Sequence, residues 1–436
     1  MNGSSGGPNH PIVVAPLSSR LFELPAGVEL VEPEDGSPGA THPEGFLAAG
    51  VVAGLKDSGK PDMGVLVVAP EWRHKATSAC VSTTNAFAAA PVVLNRTECD
   101  QQHLVAVVLN SGNANACTGE PGLVVARAMQ AACAGELGVP ANQVAVASTG
   151  IIGVQLPADI VTNGAVLAAQ AVKADGGPEF NRSIMTTDRF AKICAVTVET
   201  SAGAIRLGVC GKGAGMIAPA MATMLCVVTT DAQIAPDDVQ ALLDKAVETS
   251  FNRITVDGEM STNDSVWFLA NGASGIAPVG ADLDLVGRAL EAMLRRVALM
   301  MVADGEGATK VMRLRVTGAE DDVSAAKVAR AIGNSPLVKT AMNGGDPNWG
   351  RIISSAGAAM AGRSLPGARL QLAGVIVVQG GAGCEVSASG REKMTAGVRQ
   401  PEVEIDLDLG LGEASTELYF ADMGHEYITI NAEYHT

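Results

Sequence analysis

The chain has 436 residues, of which 47% are hydrophobic and only 17% are charged, and this composition excludes intrinsic disorder. The 30 basic and 46 acidic residues give a formal charge of −16, which excludes nucleic-acid binding as the main role because such a surface repels phosphate backbones. The sequence holds no apolar run of the length of about 18 residues that a membrane span needs.

Residues 1–45 are rich in Pro, Gly and Glu and are predicted to form a flexible segment with a short edge strand at 12–14. Beyond it, apolar runs and breaker residues predict strands at 64–69, 104–109, 144–147, 224–230, 310–316, 403–409, 415–420 and 427–431, with a hairpin at 195–207. Helices are predicted at 122–137, 158–172, 236–250, 283–302 and 321–332. Because regular βαβ alternation is lacking, we expect an α+β fold with mixed β-sheets layered with helices.

Metal and disulfide chemistry find little support in the sequence. None of the eight cysteines forms a C-x-x-C pair, which favours free, buried thiols in a reducing compartment. The six histidines form no H-E-x-x-H or comparable ligand set. We therefore expect an enzyme or binding protein that holds no metal.

A dense glycine loop at residues 211–216 precedes the most informative threonine. The loop lacks the G-x-x-x-x-G-K spacing of a phosphate-binding loop, and a tight turn is the simpler interpretation. Thr223 lies a few residues further on, before an apolar strand, where a threonine is usually a core residue. An N-terminal threonine differs, because its own α-amine, with a pKa of about 7.7–8.0, can serve as the base for its hydroxyl. That chemistry requires a cut between Ala222 and Thr223.

Several segments together resemble one enzyme family. The segment KGAGMIAPAMATML at 212–225 closely resembles the self-cleavage segment of the ornithine acetyltransferases, also called the arginine-biosynthesis glutamate N-acetyltransferases. Further segments resemble the same family in the same order: NSGNANACTG at 110–119, STGIIG at 148–153, MTTD at 185–188, DGEG at 304–307, NSPLVKT at 334–340, GDPNWGR at 345–351 and INAEYHT at 430–436. The resemblance runs from about residue 45 to the last residue.

The resemblance implies roles for particular residues. Thr223 matches the nucleophile that self-cleavage after Ala222 makes N-terminal, and Thr149 and Gly150 match the oxyanion-hole pair. The positions that match substrate-contacting residues are Thr186, Lys212, Thr223, Glu306, Asn431 and Thr436. Among these, Lys212 is suited to a substrate carboxylate and Glu306 to the side-chain ammonium of ornithine.

The same resemblance implies an activity and an assembly. The acetyl group of N-acetylornithine would pass to Thr223 and then to glutamate by ping-pong chemistry, with no cofactor or metal, and some family members also accept acetyl-CoA. The implied fold is αββα-like. The chain would comprise the flexible segment 1–45, an α chain at 46–222 and a β chain at 223–436, assembled as an α2β2 heterotetramer with neither nucleic acid nor membrane as partner. The compartment would be the cytoplasm in a bacterium and a plastid or mitochondrion in a eukaryote.

Two other functions stay open at this point. The first is an N-terminal-nucleophile amidase or aminopeptidase with water as the acceptor, and the second is a non-catalytic amino-acid-binding protein that has lost self-processing. Three segments depart from the family pattern: Ala220 replaces the usual Asn or Asp, and residues 189–192 and 419–424 also differ. None of these departures removes a proposed functional group, although the first is expected to slow self-cleavage and the last to alter the fit of the acceptor.

Overall fold

The computed structural model describes residues 21–32, 37–218 and 224–433. The edge strand predicted at 12–14, the predicted cleavage pair Ala222 and Thr223, the departure at Ala220 and the C-terminal Thr436 lie outside the described residues. The structural statements below concern the described part of the chain.

Seventeen strands and eleven α-helices are described, together with short 3-10 helices at Gly39–Thr41, Pro70–Lys75, Ala141–Gln143 and Phe251–Arg253. The strands are β1 Val28–Leu30, β2 Phe46–Val51, β3 Met63–Val68, β4 Thr77–Ser82, β5 Ala106–Asn113, β6 Val144–Ile151, β7 Lys192–Thr200, β8 Gly203–Lys212, β9 Leu225–Thr230, β10 Ile254–Thr255, β11 Ser265–Ala270, β12 Val311–Ala319, β13 Arg369–Leu372, β14 Val375–Gln379, β15 Ala382–Gly383, β16 Glu402–Asp408 and β17 Ala414–Ala421. The helices are α1 Ala90–Glu98, α2 Gly119–Leu137, α3 Ala158–Gln170, α4 Gly177–Ile184, α5 Pro236–Thr249, α6 Ala281–Ala303, α7 Asp322–Gly333, α8 Pro336–Gly344, α9 Trp349–Ala359, α10 Ala388–Val398 and α11 His425–Glu433.

Two sheets pack face to face and carry helices on their outer faces. The larger has the strand order β1-β7-β8-β9-β11-β4, and the smaller has the order β2-β3-β5-β6. The core between them includes Phe46 and Leu66 of the smaller sheet and Val227 and Trp267 of the larger. Helices α2 and α3 cover the outer face of the smaller sheet, and α5 and α6 cover that of the larger sheet. The result is the expected αββα arrangement, which buries both faces of each sheet.

A third sheet, of seven strands in the order β10-β17-β12-β16-β13-β14-β15, forms a second core with α7 to α10. Its strands β12 and β16 pair in parallel, whereas β12 and β17 pair antiparallel. Mixed sheets of this kind, layered with helices, confirm the predicted α+β class.

Most of the predicted strands and helices are confirmed, with three differences. Within the predicted flexible segment, β1 pairs with β7, and Ala40 is buried, so part of residues 21–45 belongs to the fold. The turn predicted at 148–150 is instead the end of β6, which pairs with β5 up to Ile151. The strand predicted at 427–431 is wrong: these residues lie in helix α11, where the side chains of Thr429 and Asn431 donate hydrogen bonds to carbonyl groups one turn earlier.

All eight cysteines are free, and four of them are buried, whereas Cys117 is exposed. Among the helices of the described ranges, none combines the length and the apolar character needed to cross a membrane.

Candidate functional site

The end of β6 places Thr149 and Gly150 beside the neighbouring strand β5. Thr149 is buried, and Gly150 lies opposite Gly112 in the register of the two strands. Gly150 has a φ of +134°, and a Cβ atom on it would lie 2.3 Å from the carbonyl carbon of Gly112. Only glycine fits this conformation and this approach, so the backbone here is fixed by sequence. The structure thus keeps a hydroxyl and a glycine N–H next to each other at one strand end.

Lys212 joins the two packed sheets at this point. It is the last residue of β8, it is 3% exposed, and its Nζ donates a hydrogen bond of 3.2 Å to Thr149 Oγ1. Burial lowers the pKa of the Lys212 ammonium, while the carboxylates of Asp188 and Glu306 act in the opposite direction. The sequence analysis assigned Lys212 and Thr149 to different roles, and the structure brings them into contact.

Asp264 holds the residue that follows Thr223 in the chain. Its Oδ1 accepts a 2.8 Å hydrogen bond from the backbone N–H of Met224, and the Met224 carbonyl accepts one of 3.0 Å from Ser265. Burial raises the pKa of the Asp264 carboxyl well above its usual range. In the next position of the register, Leu225 lies directly beside Lys212. The start of β9 is therefore fixed next to the buried lysine.

Asp257 holds the other side of the segment that carries the predicted cut. Its Oδ2 accepts from the N–H of Met216 at 2.7 Å, and its Oδ1 accepts from the N–H of Ile217 at 2.8 Å. Burial raises the pKa of the Asp257 carboxyl. Met216 has a φ of +55°, which is uncommon for a residue other than glycine. The two aspartates together anchor the chain before and after residues 219–223.

Asn263 ties the same region to the smaller sheet. Its Nδ2 donates to the carbonyl oxygens of Ala114 at 2.6 Å and Ser148 at 2.8 Å. The sequence analysis missed Asn263, Asp257 and Asp264. The signal that was available is the run of five polar residues at 261–265 directly before an apolar strand, because buried polar side chains require partners.

A buried ion-pair network holds the segment that carries Thr186. The carboxylate of Asp188 accepts hydrogen bonds from the backbone N–H groups of Thr186 at 3.0 Å and Gly213 at 2.8 Å, and it pairs with Lys192. Lys192 also pairs with Asp304, and all three charged side chains are buried. Burial alone would raise the pKa of Asp188, but Lys192 and Lys212 outweigh it and hold this pKa well below its usual range. The network fixes the segment that carries Thr186 against the residue that follows Lys212.

We expect Asp188→Asn to lower the free energy of unfolding at pH 7 by about 3 kcal/mol, because it removes one partner of a buried ion pair. Since the folded-state pKa lies below that of an unfolded Asp, at about 3.9, the contribution of Asp188 is present above that pH and is lost as the pH falls. The difference between wild type and variant should therefore shrink below about pH 4. Urea unfolding of both proteins across this range measures it.

Asp175→Asn is the matched control, since Asp175 pairs with Lys173 at 3.5 Å but is 83% exposed. Exposed pairs contribute about 0–1 kcal/mol, so this variant should unfold nearly as wild type does. An Asp188→Asn variant that behaved in the same way would contradict a stabilising role for the buried network.

Glu306 and Asn431, two residues that the resemblance assigns to substrate binding, are in contact with each other. Asn431 Nδ2 donates to Glu306 Oε2 at 2.8 Å, and the backbone N–H of Glu306 donates to the Ala214 carbonyl at 2.9 Å. A Cβ atom on Gly215 would lie 2.6 Å from the Glu306 carboxyl carbon, so a larger residue there would displace the end of the Glu306 side chain. The Glu306 side chain therefore lies against the glycine loop at 211–216.

Two segments that depart from the family pattern have structural partners. Arg189 donates from its Nε to Asp304 Oδ1 at 2.8 Å and so joins the buried network. Asp422 accepts from the backbone N–H groups of Thr309 and Lys310, each at 2.8 Å. Both departures stabilise loops near Glu306. Within the described residues, no group of three or more His, Cys, Asp or Glu side chains is placed to hold a metal ion.

Where its two sheets meet, the four-layered sandwich gathers a hydroxyl, a buried ammonium and a carboxylate, groups that an acyl-transfer enzyme can use for nucleophilic attack and for oxyanion stabilisation. The model of the ArgJ family matches residues 47–436, and the chain belongs to this family. It is 43% identical over 393 residues to the arginine biosynthesis bifunctional protein ArgJ of Nitratidesulfovibrio vulgaris, covering 90% of this chain and 98% of that protein. The protein of the same name from Bifidobacterium longum is 42% identical over 402 residues, covering 90% and 99%.

Among solved structures, an ornithine acetyltransferase from Mycobacterium tuberculosis, complexed with ornithine, is 34% identical with a TM-score of 0.39, and the match covers 45% of this chain and 100% of that chain. Membership of the ArgJ family confirms the resemblance found in the sequence and the prediction of an enzyme of arginine biosynthesis. The roles of the individual residues are proposals that the contacts of these residues support.

Proposed function

We propose that this protein moves an acetyl group from N-acetylornithine to glutamate through an acetyl ester on Thr223. The observation that carries the proposal is the hydrogen bond between Lys212 and Thr149, which lies beside the start of β9. Met224, the first residue described after Thr223, is held in the same place by Asp264. A nucleophile at the head of β9 would thus adjoin a hydroxyl and a buried positive charge.

The acyl transfer takes place in two half-reactions. The Thr223 oxygen bonds to the acetyl carbonyl carbon while the α-amine of Thr223 takes the hydroxyl proton, and the C–N bond then breaks as that proton passes to the departing nitrogen of ornithine. In the second half-reaction the amine of glutamate attacks the ester and releases Thr223 as N-acetylglutamate forms. Thr149 and Gly150 donate to the carbonyl oxygen while it carries negative charge, and Lys212 strengthens the Thr149 donor.

The nucleophile arises by self-cleavage between Ala222 and Thr223, which yields an α chain ending at residue 222 and a β chain of residues 223–436. The anchoring of the chain by Asp257 and Asp264 supports this assignment, because a bond attacked by its neighbouring hydroxyl has to be held in place.

Ornithine and glutamate share an α-amino-acid head and carry opposite side-chain charges, and Glu306 is the residue that distinguishes them in this proposal. Ornithine carries an ammonium group that a carboxylate attracts, whereas glutamate carries a carboxylate. Lys212 meets a carboxylate that both substrates share. Thr186, Asn431 and Thr436 complete the binding site, and the contact between Asn431 and Glu306 supports their grouping.

We expect Glu306→Gln to raise the KM for N-acetylornithine by about 10- to 100-fold, since a charge-assisted contact contributes about 1.5–3 kcal/mol. The KM for glutamate should stay the same or fall, because its side-chain carboxylate loses a repulsion. Lys212→Met should raise the KM for both substrates. Steady-state kinetics with each substrate varied in turn measures these KM values. Glu136→Gln, at an exposed position on α2, is the control. Equal losses for donor and acceptor in Glu306→Gln would refute the assignment.

Mass spectrometry tests the reaction as a whole. The purified protein should show a fragment of residues 223–436, which gains the mass of one acetyl group when N-acetylornithine is added without an acceptor. Glutamate should then remove that mass and yield N-acetylglutamate. Loss of the acetyl group to water at the same rate without glutamate would favour an amidase, and an intact chain that binds amino acids without turnover would favour a binding protein.

The assembly, the second donor and the compartment complete the proposal. We expect an α2β2 heterotetramer with no cofactor, acetyl-CoA as an additional donor, and the cytoplasm as the compartment if the protein is bacterial. Native mass spectrometry and an assay with acetyl-CoA in place of N-acetylornithine test the first two.

A further inference from the structure

Lys56 lies on a loop whose backbone is fixed by one buried carboxylate. Asp62 is completely buried, and its two oxygens accept hydrogen bonds from four successive backbone N–H groups, those of residues 53–56. A carboxylate bound by that many N–H groups holds the loop in one conformation. The loop therefore presents Lys56 at a defined place.

The side chain of Lys56 contacts the segment that carries Thr186 and the end of β5, the strand beside the proposed oxyanion hole. Its Nζ donates 2.7 Å to the carbonyl of Met185, the residue before Thr186, and 3.1 Å to the carbonyl of Pro61. A Cβ atom on Gly112 would lie 3.4 Å from Lys56 Cγ, and Gly112 is the residue that pairs with Gly150.

The charge of Lys56 is only partly compensated. Both hydrogen-bond acceptors of its ammonium are neutral carbonyl groups, and within residues 21–32, 37–218 and 224–433 it forms no ion pair. An ammonium has three N–H donors, so one is left for a further acceptor. Burial lowers the pKa of Lys56 to about 8, and Asp62 acts in the opposite direction, while Lys212 lowers it further. Lys56 and Lys212 are thus close enough to repel each other, and an anion between them would relieve that repulsion.

We propose that Lys56 binds the side-chain carboxylate of the acceptor glutamate and so determines acceptor specificity, an inference that rests on the proposed acetyl transfer. Glu306 attracts the ammonium of ornithine but repels the carboxylate of glutamate. Lys212 donates a hydrogen bond to Thr149, and the proposed function already assigns it to the carboxylate that both substrates share. Lys56 supplies the second positive charge that glutamate needs, on the segment next to Thr186.

The test compares glutamate with glutamine, which has the same shape and no side-chain charge. Wild-type enzyme should prefer glutamate in kcat/KM, and Lys56→Met should raise the KM for glutamate by about 10- to 100-fold, as expected for the loss of a charge-assisted contact. The KM for N-acetylornithine should change by less than about twofold, and the preference for glutamate over glutamine should disappear. The exposed Lys60→Met on the same loop is the matched control and should behave as wild type.

Formation of the acetyl-enzyme from N-acetylornithine separates the two levels of the proposal. If the wild-type protein forms no acetyl-enzyme, the proposed function itself fails. If the wild-type protein forms the acetyl-enzyme, the variant decides the second level. A Lys56→Met variant that raises the KM for donor and acceptor equally, or that keeps the preference for glutamate, would overturn the specificity role. Lys56 would then only tether its loop to Met185. Lys56→Gln retains a donor toward the Met185 carbonyl while removing the charge, and it gives the same comparison if Lys56→Met does not fold.

Discussion

Thr223→Ala is expected to remain one chain of 436 residues, whereas the wild-type protein is expected to yield two fragments, the second beginning at Thr223. The cut requires the hydroxyl to attack the carbonyl of Ala222, so that the peptide bond becomes an ester that water then cleaves. Without a hydroxyl and without a new α-amine, the variant should also lose acetyl transfer entirely. Intact-mass measurement and N-terminal sequencing decide the first point, and an assay with N-acetylornithine and glutamate decides the second.

Thr223→Ser provides the control, because it keeps a hydroxyl and the capacity to form an α-amine. It should still be processed, although at a different rate. Efficient cleavage in Thr223→Ala would disprove self-processing by this residue and would point to an external protease.

Thr149→Ala is expected to lower kcat by about 10²- to 10³-fold, the usual loss when one oxyanion donor is removed, with a modest change in KM. The structure adds a second reason, since the variant also removes the hydrogen-bond partner of the buried Lys212 ammonium. Single-turnover kinetics on fully processed protein measures the effect, because the same hydroxyl could also assist the cut.

Thr149→Ser keeps the donor and should retain most of the activity. Unchanged kcat in Thr149→Ala would show that Thr149 only packs at the end of β6. A loss confined to KM would instead mean that it contacts the substrate without stabilising the transition state.

Local patterns in the sequence predicted nine of the seventeen strands and five of the eleven helices that the structure describes. The apolar runs at 64–69 and 224–230 became central strands, and Gly138 ends α2 in the left-handed conformation expected of a helix-terminating glycine. The strand predicted at 427–431 was wrong. Its three consecutive β-branched residues at 428–430 suit a strand, but tertiary context overrides that preference, and the segment forms helix α11, in which Asn431 contacts Glu306.

The candidate site was predictable only in its parts. Glu306 and Asn431 are 125 positions apart, and only the resemblance to a family suggested that they belong together. The contact between Lys212 and Thr149 depends on how two sheets pack against each other. The hydrophobic periodicity of a sequence predicts single strands but not the packing between sheets. Asp257 and Asp264 were missed because an isolated aspartate is usually a surface residue, and its burial becomes visible only once its backbone partners are placed.

The proposed cut falls between β8 and β9, which are hydrogen-bonded neighbours inside the same six-stranded sheet. Separating the two products would break that sheet in two places, because β9 and β11 of the second product lie between β8 and β4 of the first, and it would leave four edges of unpaired N–H and C=O groups. The products are thus better regarded as two parts of one folding unit than as two subunits that meet by diffusion. Such a cut would have to follow folding, and each part made alone would lack the strands that complete its sheet.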